Sequence, residues 1–133
     1  MTDPHVRRHG SPALFDGGFA YSAEVPDGSL LFTAGVSPLD SDGGIVAPDD
    51  PAAQAGHAFA LLTTVLAERG AAIADIAKLT VYVATSDRTD LAAVWQVLAP
   101  EFRGDVPPAV MVAVTVLPYP GQRIELDAVA AGR

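Results

Sequence analysis

Few side chains in this chain could do chemistry, and the absences are informative. None of the 133 residues is cysteine, which removes thiol nucleophiles, redox pairs, disulfide frameworks and thiolate metal sites together. No serine sits in the strand-turn-helix context of a nucleophile elbow. The histidines are scattered: His5 and His9 lie near the N-terminus and His57 stands alone on an alanine-rich stretch. No pair has metal-ligand spacing with a third ligand nearby, so no metal site is expected. What remains is carboxylate chemistry. Near the C-terminus Arg123-Ile124-Glu125-Leu126-Asp127-Ala128-Val129-Ala130 alternates cleanly. The two-residue period of a strand then puts Arg123, Glu125 and Asp127 on one face and Ile124, Leu126 and Ala128 on the other. A carboxylate so placed can act as a general base or a hydrogen-bond acceptor. Taken alone, it reads first as a solvated strand residue paired with Arg123.

Other elements must position that strand. Residues 19–37 hold two β-prone runs around Pro26-Asp27-Gly28, where Pro presets φ and Gly accepts positive φ, which predicts a hairpin. Residues 38–51, rich in Asp, Gly and Pro, predict a surface loop. Over 51–69 the apolar residues Leu61, Leu62, Val65 and Leu66 recur at helical spacing, with Asp50 as N-cap, Pro51 at the first turn and Gly70 as the stop. Residues 77–84 read as a strand. Asp87 or Thr89 then caps a second helix whose Leu91, Val94, Trp95 and Leu98 form one apolar stripe. Residues 109–117 are apolar at both alternating positions and predict a central strand buried on both sides. The paired glycines at Gly17-Gly18 and Gly43-Gly44 read as turns. The order is an α+β one: strands on a sheet with two helices to cover one face, the other face needing a partner if it is apolar.

Half of the chain is apolar, enough for one compact domain over 1–133 that buries roughly two-thirds of its unfolded surface. Residues 1–14 are expected to be a partly flexible N-terminal segment. Sixteen acids against eight lysines and arginines give a net charge of −8, which favours solubility and repels polyanions. Nucleic acid is therefore not an expected partner. No basic region followed by an apolar run opens the sequence, and no apolar stretch reaches the roughly 18 residues of a membrane span. A soluble, cytoplasmic protein without membrane contact is expected.

Four stretches, in order and spacing, carry a family resemblance: Leu31-Phe32-Thr33-Ala34-Gly35; Asp75-Ile76-Ala77-Lys78-Leu79-Thr80-Val81-Tyr82-Val83; Pro108-Ala109 opening a valine-rich strand; and Leu117-Pro118 leading to residues 123–130. With the helices between them, the chain from about residue 21 onward resembles the Rid (RidA/YjgF, reactive intermediate deaminase) family. The resemblance implies a chorismate-mutase-like mixed sheet with two helices on one face. It also implies a homotrimer with clefts between subunits that act on enamines and imines, with no metal or organic cofactor. On this resemblance Glu125 is the catalytic carboxylate that positions or activates water, while Gly35 lets backbone approach the ligand and Tyr21 lines the cleft. Val110 stands where deaminating members carry an arginine that clamps the substrate carboxylate, since the chain reads Pro108-Ala109-Val110-Met111. Val112 replaces a frequent cysteine, and Trp95 stands where some members place a polar asparagine facing the cleft, so Trp95, Val110 and Val112 are expected to wall the substrate site. Valine has neither charge nor donors, so the implied pocket is apolar at this wall. Arg123 is a candidate substitute anchor, its ordinary reading being a rim residue or ion-pair partner. Tyr119 and Gln122 read as turn residues.

Three functions follow. The first is a Rid-like enzyme for hydrolytic deamination of, or proton transfer on, an unsaturated nitrogen compound that is not a simple 2-imino acid. The second is a non-catalytic ligand-binding or regulatory trimer on the same scaffold. A ribonuclease, an activity described for some members of the resembled family, is disfavoured by the charge.

Overall fold

The computed structural model describes residues 6–13, 15–26 and 28–132. Its two helices begin and end where side-chain chemistry dictates. The first, α1 (Pro51–Glu68), is capped by Asp50, whose Oδ1 accepts from the Ala53 N–H at 3.1 Å. It ends in a Schellman arrangement: Gly70, at φ +76, donates to the Ala67 carbonyl, and Ala71 donates to that of Leu66. The second, α2 (Arg88–Leu98), is capped by Asp87, which accepts from the Thr89 N–H at 2.9 Å. That bond favours the charged carboxylate, so the Asp87 pKa is lowered.

Six strands are present among the described residues: β1 (Arg7–His9), β2 (Ser22–Glu24), β3 (Leu30–Phe32), β4 (Ile76–Ala84), β5 (Ala109–Val114) and β6 (Ile124–Ala131). A four-stranded mixed sheet has the order β3-β6-β4-β5. Its β4–β5 pair is parallel, joined through α2, while the β3–β6 and β4–β6 pairs are antiparallel. Both helices cover one face. Ala58, Phe59 and Leu62 of α1 and Val94 and Leu98 of α2 pack onto Val81, Val83, Ile124 and Leu126, and the Phe59 and Phe102 rings meet edge to face at 5.5 Å. Among the described residues no helix is long and apolar enough to cross a membrane.

Two sequence expectations are corrected. The segments around Pro26-Asp27-Gly28 do not pair with each other: β2 pairs with β1, whereas β3 pairs with the distant β6, Leu31 lying opposite Ala130. Turn residues mark where a chain reverses, but not which strand receives it; Asp27 itself lies outside the described residues. Strand β5 is an edge strand, not a central one. Its Val110 and Val112 are 40 % and 37 % exposed, so its second apolar face is left uncovered by the described residues. The N-terminal segment, expected to be partly flexible, includes β1. Arg8 reaches from it to the carbonyls of Ile73 (2.9 Å), Ile76 (3.1 Å) and Asp105 (2.6 Å), with the Asp105 carboxylate at 3.0 Å. Residues 1–5 and 14 of that segment lie outside the described ones.

Candidate functional site

The alternation of β6 places Glu125 on the open face of the sheet, directly opposite Tyr82 of β4. Backbone and loop side chains hold its carboxylate. A Cβ at Gly35 would lie 2.6 Å from Glu125 Oε2 and 2.7 Å from the carboxyl carbon, so only a residue without a side chain lets the carboxylate rest there. Ser37 Oγ donates to Glu125 Oε1 at 3.2 Å and accepts from Gln122 Nε2 at 2.8 Å. Gln122, 4 % exposed, is fixed at both ends: it accepts from the Tyr119 N–H (3.2 Å) and donates to the Ile124 carbonyl (2.8 Å). With the amide so oriented, the Ser37 hydroxyl hydrogen is directed onto the carboxylate. Glu125 is thereby held as an acceptor, one oxygen engaged and the other against Gly35.

Beside it, the Tyr82 hydroxyl donates to Asp127 Oδ2 at 3.2 Å. The charge of Asp127, then reduced solvation, the hydrogen bond itself and the charge of Glu125 together raise the Tyr82 pKa above its usual 10.0. Val110 and Val112 share this open face, opposite Thr80 and Tyr82. They sit two strands from Glu125, roughly 10 Å by strand spacing.

The remaining candidates lie elsewhere. Trp95 is on the helix-covered side with Ala109 and Met111, residues that alternate with Val110 and Val112, so the sheet stands between them. Tyr21 donates through its hydroxyl to the Phe15 carbonyl at 2.6 Å and packs its ring on Phe19. Within one chain, then, Gly35 and Glu125 meet, Val110 and Val112 share their face, and Trp95 and Tyr21 belong to another cluster. Arg123 does not pair with Glu125. Its Nε and Nη2 reach Asp49 Oδ1 at 3.2 and 3.1 Å, and its Nη1 donates to the Ala84 carbonyl. That is the ion-pair role, at the rim of a cleft of about 330 Å³ walled by residues 115–122. Ser37 was not singled out in the sequence, and Gln122 was read there as a turn residue. Each stands within three residues of a candidate, but the Gln122–Ser37 bond spans 85 positions and neither segment alone announces it.

Two helices on one face of a mixed sheet, with an oriented carboxylate on the other, define the chorismate-mutase-like α+β class. A family model described as endoribonuclease L-PSP matches residues 16–132. A RutC family protein of Pyrococcus abyssi is 32 % identical over 110 residues, 83 % of this chain and 84 % of its own. The solved structure of YyfB, a Rid family protein of Yersinia pestis, matches with a TM-score of 0.88 at 27 % identity, covering 96 % of this chain and 98 % of that one. Rv2704 of Mycobacterium tuberculosis, of the YjgF/YER057c/UK114 family, matches with a TM-score of 0.65 at 28 % identity over 95 % and 98 %. The chain belongs to the Rid/YjgF family.

Proposed function

We propose that this protein is a cytoplasmic homotrimeric deaminase-like enzyme acting at clefts between copies. Its substrate is an enamine, imine or related unsaturated nitrogen compound that is not a simple 2-imino acid. The observation that carries the reading is the Gly35, Ser37 and Gln122 cradle, which orients the Glu125 carboxylate as an acceptor on the open face. In imine hydrolysis, water adds to the imine carbon while Glu125 takes a proton from it. That proton is delivered to nitrogen to complete a carbinolamine, and the carbinolamine's hydroxyl proton then passes to nitrogen by way of the same carboxylate as the carbon–nitrogen bond breaks, giving a carbonyl compound and ammonia. Neither a metal nor an organic cofactor is required by this sequence of steps.

Assembly is supported by the uncovered apolar side chains of the open face and its edges: Phe32 is 68 % and Val116 76 % exposed. The substrate restriction rests on Val110, which stands where the family resemblance places the carboxylate-clamping arginine. Each charge-assisted bond forgone is worth about 1.5–3 kcal/mol. The ribonuclease role suggested by the name of the family model fits poorly with a net charge of −8. A non-catalytic ligand-binding trimer is the second reading, and Val110 is the observation that favours it.

Ammonia release from a panel of imines decides between them. The expected result is turnover of carboxylate-free imines that falls at least about a hundredfold in Glu125→Gln, with 2-aminoacrylate and 2-iminobutanoate poor substrates. Turnover unaffected by Glu125→Gln overturns catalysis by this carboxylate. A monomer in sedimentation overturns the shared cleft.

A further inference from the structure

On the helix-covered side, at the free edge of β5, Gly17, Phe19, Trp95, Ala109 and Met111 line a slot of about 250 Å³. Its walls are two aromatic rings, a thioether, a methyl group and a glycine backbone, with no charged side chain among them. The Trp95 and Met111 walls are backed by the core. The Phe19 wall is held from behind, its ring packing on Tyr21 at 4.9 Å with a 51° tilt. Tyr21 is tied through its hydroxyl to the Phe15 carbonyl and through its N–H to the His9 carbonyl, and Ala20 donates to the Val106 carbonyl at 2.9 Å. A side chain on Gly17 would collide with the Phe19 ring. Gly17, a turn residue on the sequence reading, is thus what allows that ring to stand where it does.

We propose that this slot binds a planar aromatic ring, free or as the aryl substituent of a small molecule. Aromatic faces and a thioether favour offset stacking, edge-to-face packing and sulfur–ring contact. The volume exceeds the roughly 150 Å³ that accommodates benzene, leaving space for one or two rings. An anion would find no cation in these walls, and a cation no carboxylate. Within one chain the sheet separates the slot from Glu125; the family resemblance puts Tyr21 and Trp95 at the cleft between copies, so this inference rests on that reading of the cleft, while Trp95 emission reads ring binding whether or not Glu125 is catalytic.

Trp95 is the single tryptophan of the chain, so its emission reports on the slot directly. Full-length protein is titrated with benzyl alcohol, with cyclohexylmethanol as a puckered ring of similar size, and with tetramethylammonium as a cation. The expected outcome is a saturable change in Trp95 emission for benzyl alcohol, with affinity about tenfold weaker for each of the other two probes. Phe19→Ala and Gly17→Ala should each weaken benzyl alcohol binding by about fivefold or more, with circular dichroism unchanged. Should Phe19→Ala disturb the fold, Gly17→Ala alone decides, since its φ is not in the positive region. A non-saturating response, equal affinity for the three probes, tighter binding of the cation, or full affinity in Gly17→Ala overturns the proposal.

Discussion

The two faces of β6 are governed by different demands. On the helix-covered face, Ile124, Leu126, Ala128 and Ala130 are no more than 2 % exposed, and each touches neighbours supplied by the same chain. On the other face, Glu125, Asp127 and Val129 remain half-buried, and the polar members are held by hydrogen bonds from Ser37 and Tyr82 rather than by packing. Volume constrains the first face; the orientation of polar groups constrains the second. A single strand thus separates the cost of folding from the requirements of a site, with a spacing of one residue.

The strongest way to break this distinction is to substitute adjacent residues of β6. Leu126→Ala should lower unfolding free energy by about 2–5 kcal/mol, read as a lower urea midpoint. Glu125→Gln, which keeps an acceptor for Ser37, should stay within about 0.5 kcal/mol. Comparable losses would mean that the open face is structural after all. A smaller effect tests the polar exception on the covered side. Gln54 is fully buried on α1, where it donates to the Ala47 and Gly121 carbonyls at 2.9 Å each and accepts from the Arg123 N–H at 2.6 Å. Gln54→Leu removes the acceptor of the Arg123 N–H and one of two donors from each of the Ala47 and Gly121 carbonyls, which keep the Asp50 and Asp49 N–H groups, and should cost about 1–3 kcal/mol in the same assay; a neutral result would mean that the loops it ties have other support.

The smallest effect concerns Tyr82 on the open face. Its pKa is raised above the unfolded value of 10.0, first by the charge of Asp127. The protonated phenol is the form favoured by folding, so its contribution to stability is complete below pH 10.0 and is lost as pH rises through the higher folded pKa. Asp127→Asn removes the largest cause and should bring the tyrosinate absorbance transition down toward 10.0. An unmoved transition would assign the shift to solvation instead.

Much of the helical layer was legible because its signals are local. Asp50, Pro51, Gly70 and Asp87 each act within a turn of their own position, and the 3.6-residue period marks the buried stripe. The alternation of β6 was legible for the same reason. Pairing was not. The β3 strand finds β6 about a hundred positions away, with Leu30 opposite Ala131, and no turn residue encodes such a partner. In β5 the apolar pattern on both faces correctly marked a strand, yet it could not tell a neighbour in the same sheet from an uncovered surface. At the site, Gly35 and Glu125 came from family resemblance and do meet in the chain. Ser37 and Gln122 act through contacts that only the fold creates.

The free edge of β5 has a further consequence, for the unfolded chain rather than the native one. Residues 109–117, Ala-Val-Met-Val-Ala-Val-Thr-Val-Leu, contain no charge, no glycine and no proline, the composition of a segment that stacks into cross-β ladders. Proline closes it on both sides, at Pro107, Pro108 and Pro118. Because proline cannot donate to a ladder, these residues confine intermolecular pairing to nine positions. The segment with the uncovered apolar face is also an aggregation hazard of the unfolded chain, fenced by prolines where charges would have interrupted its apolar surface.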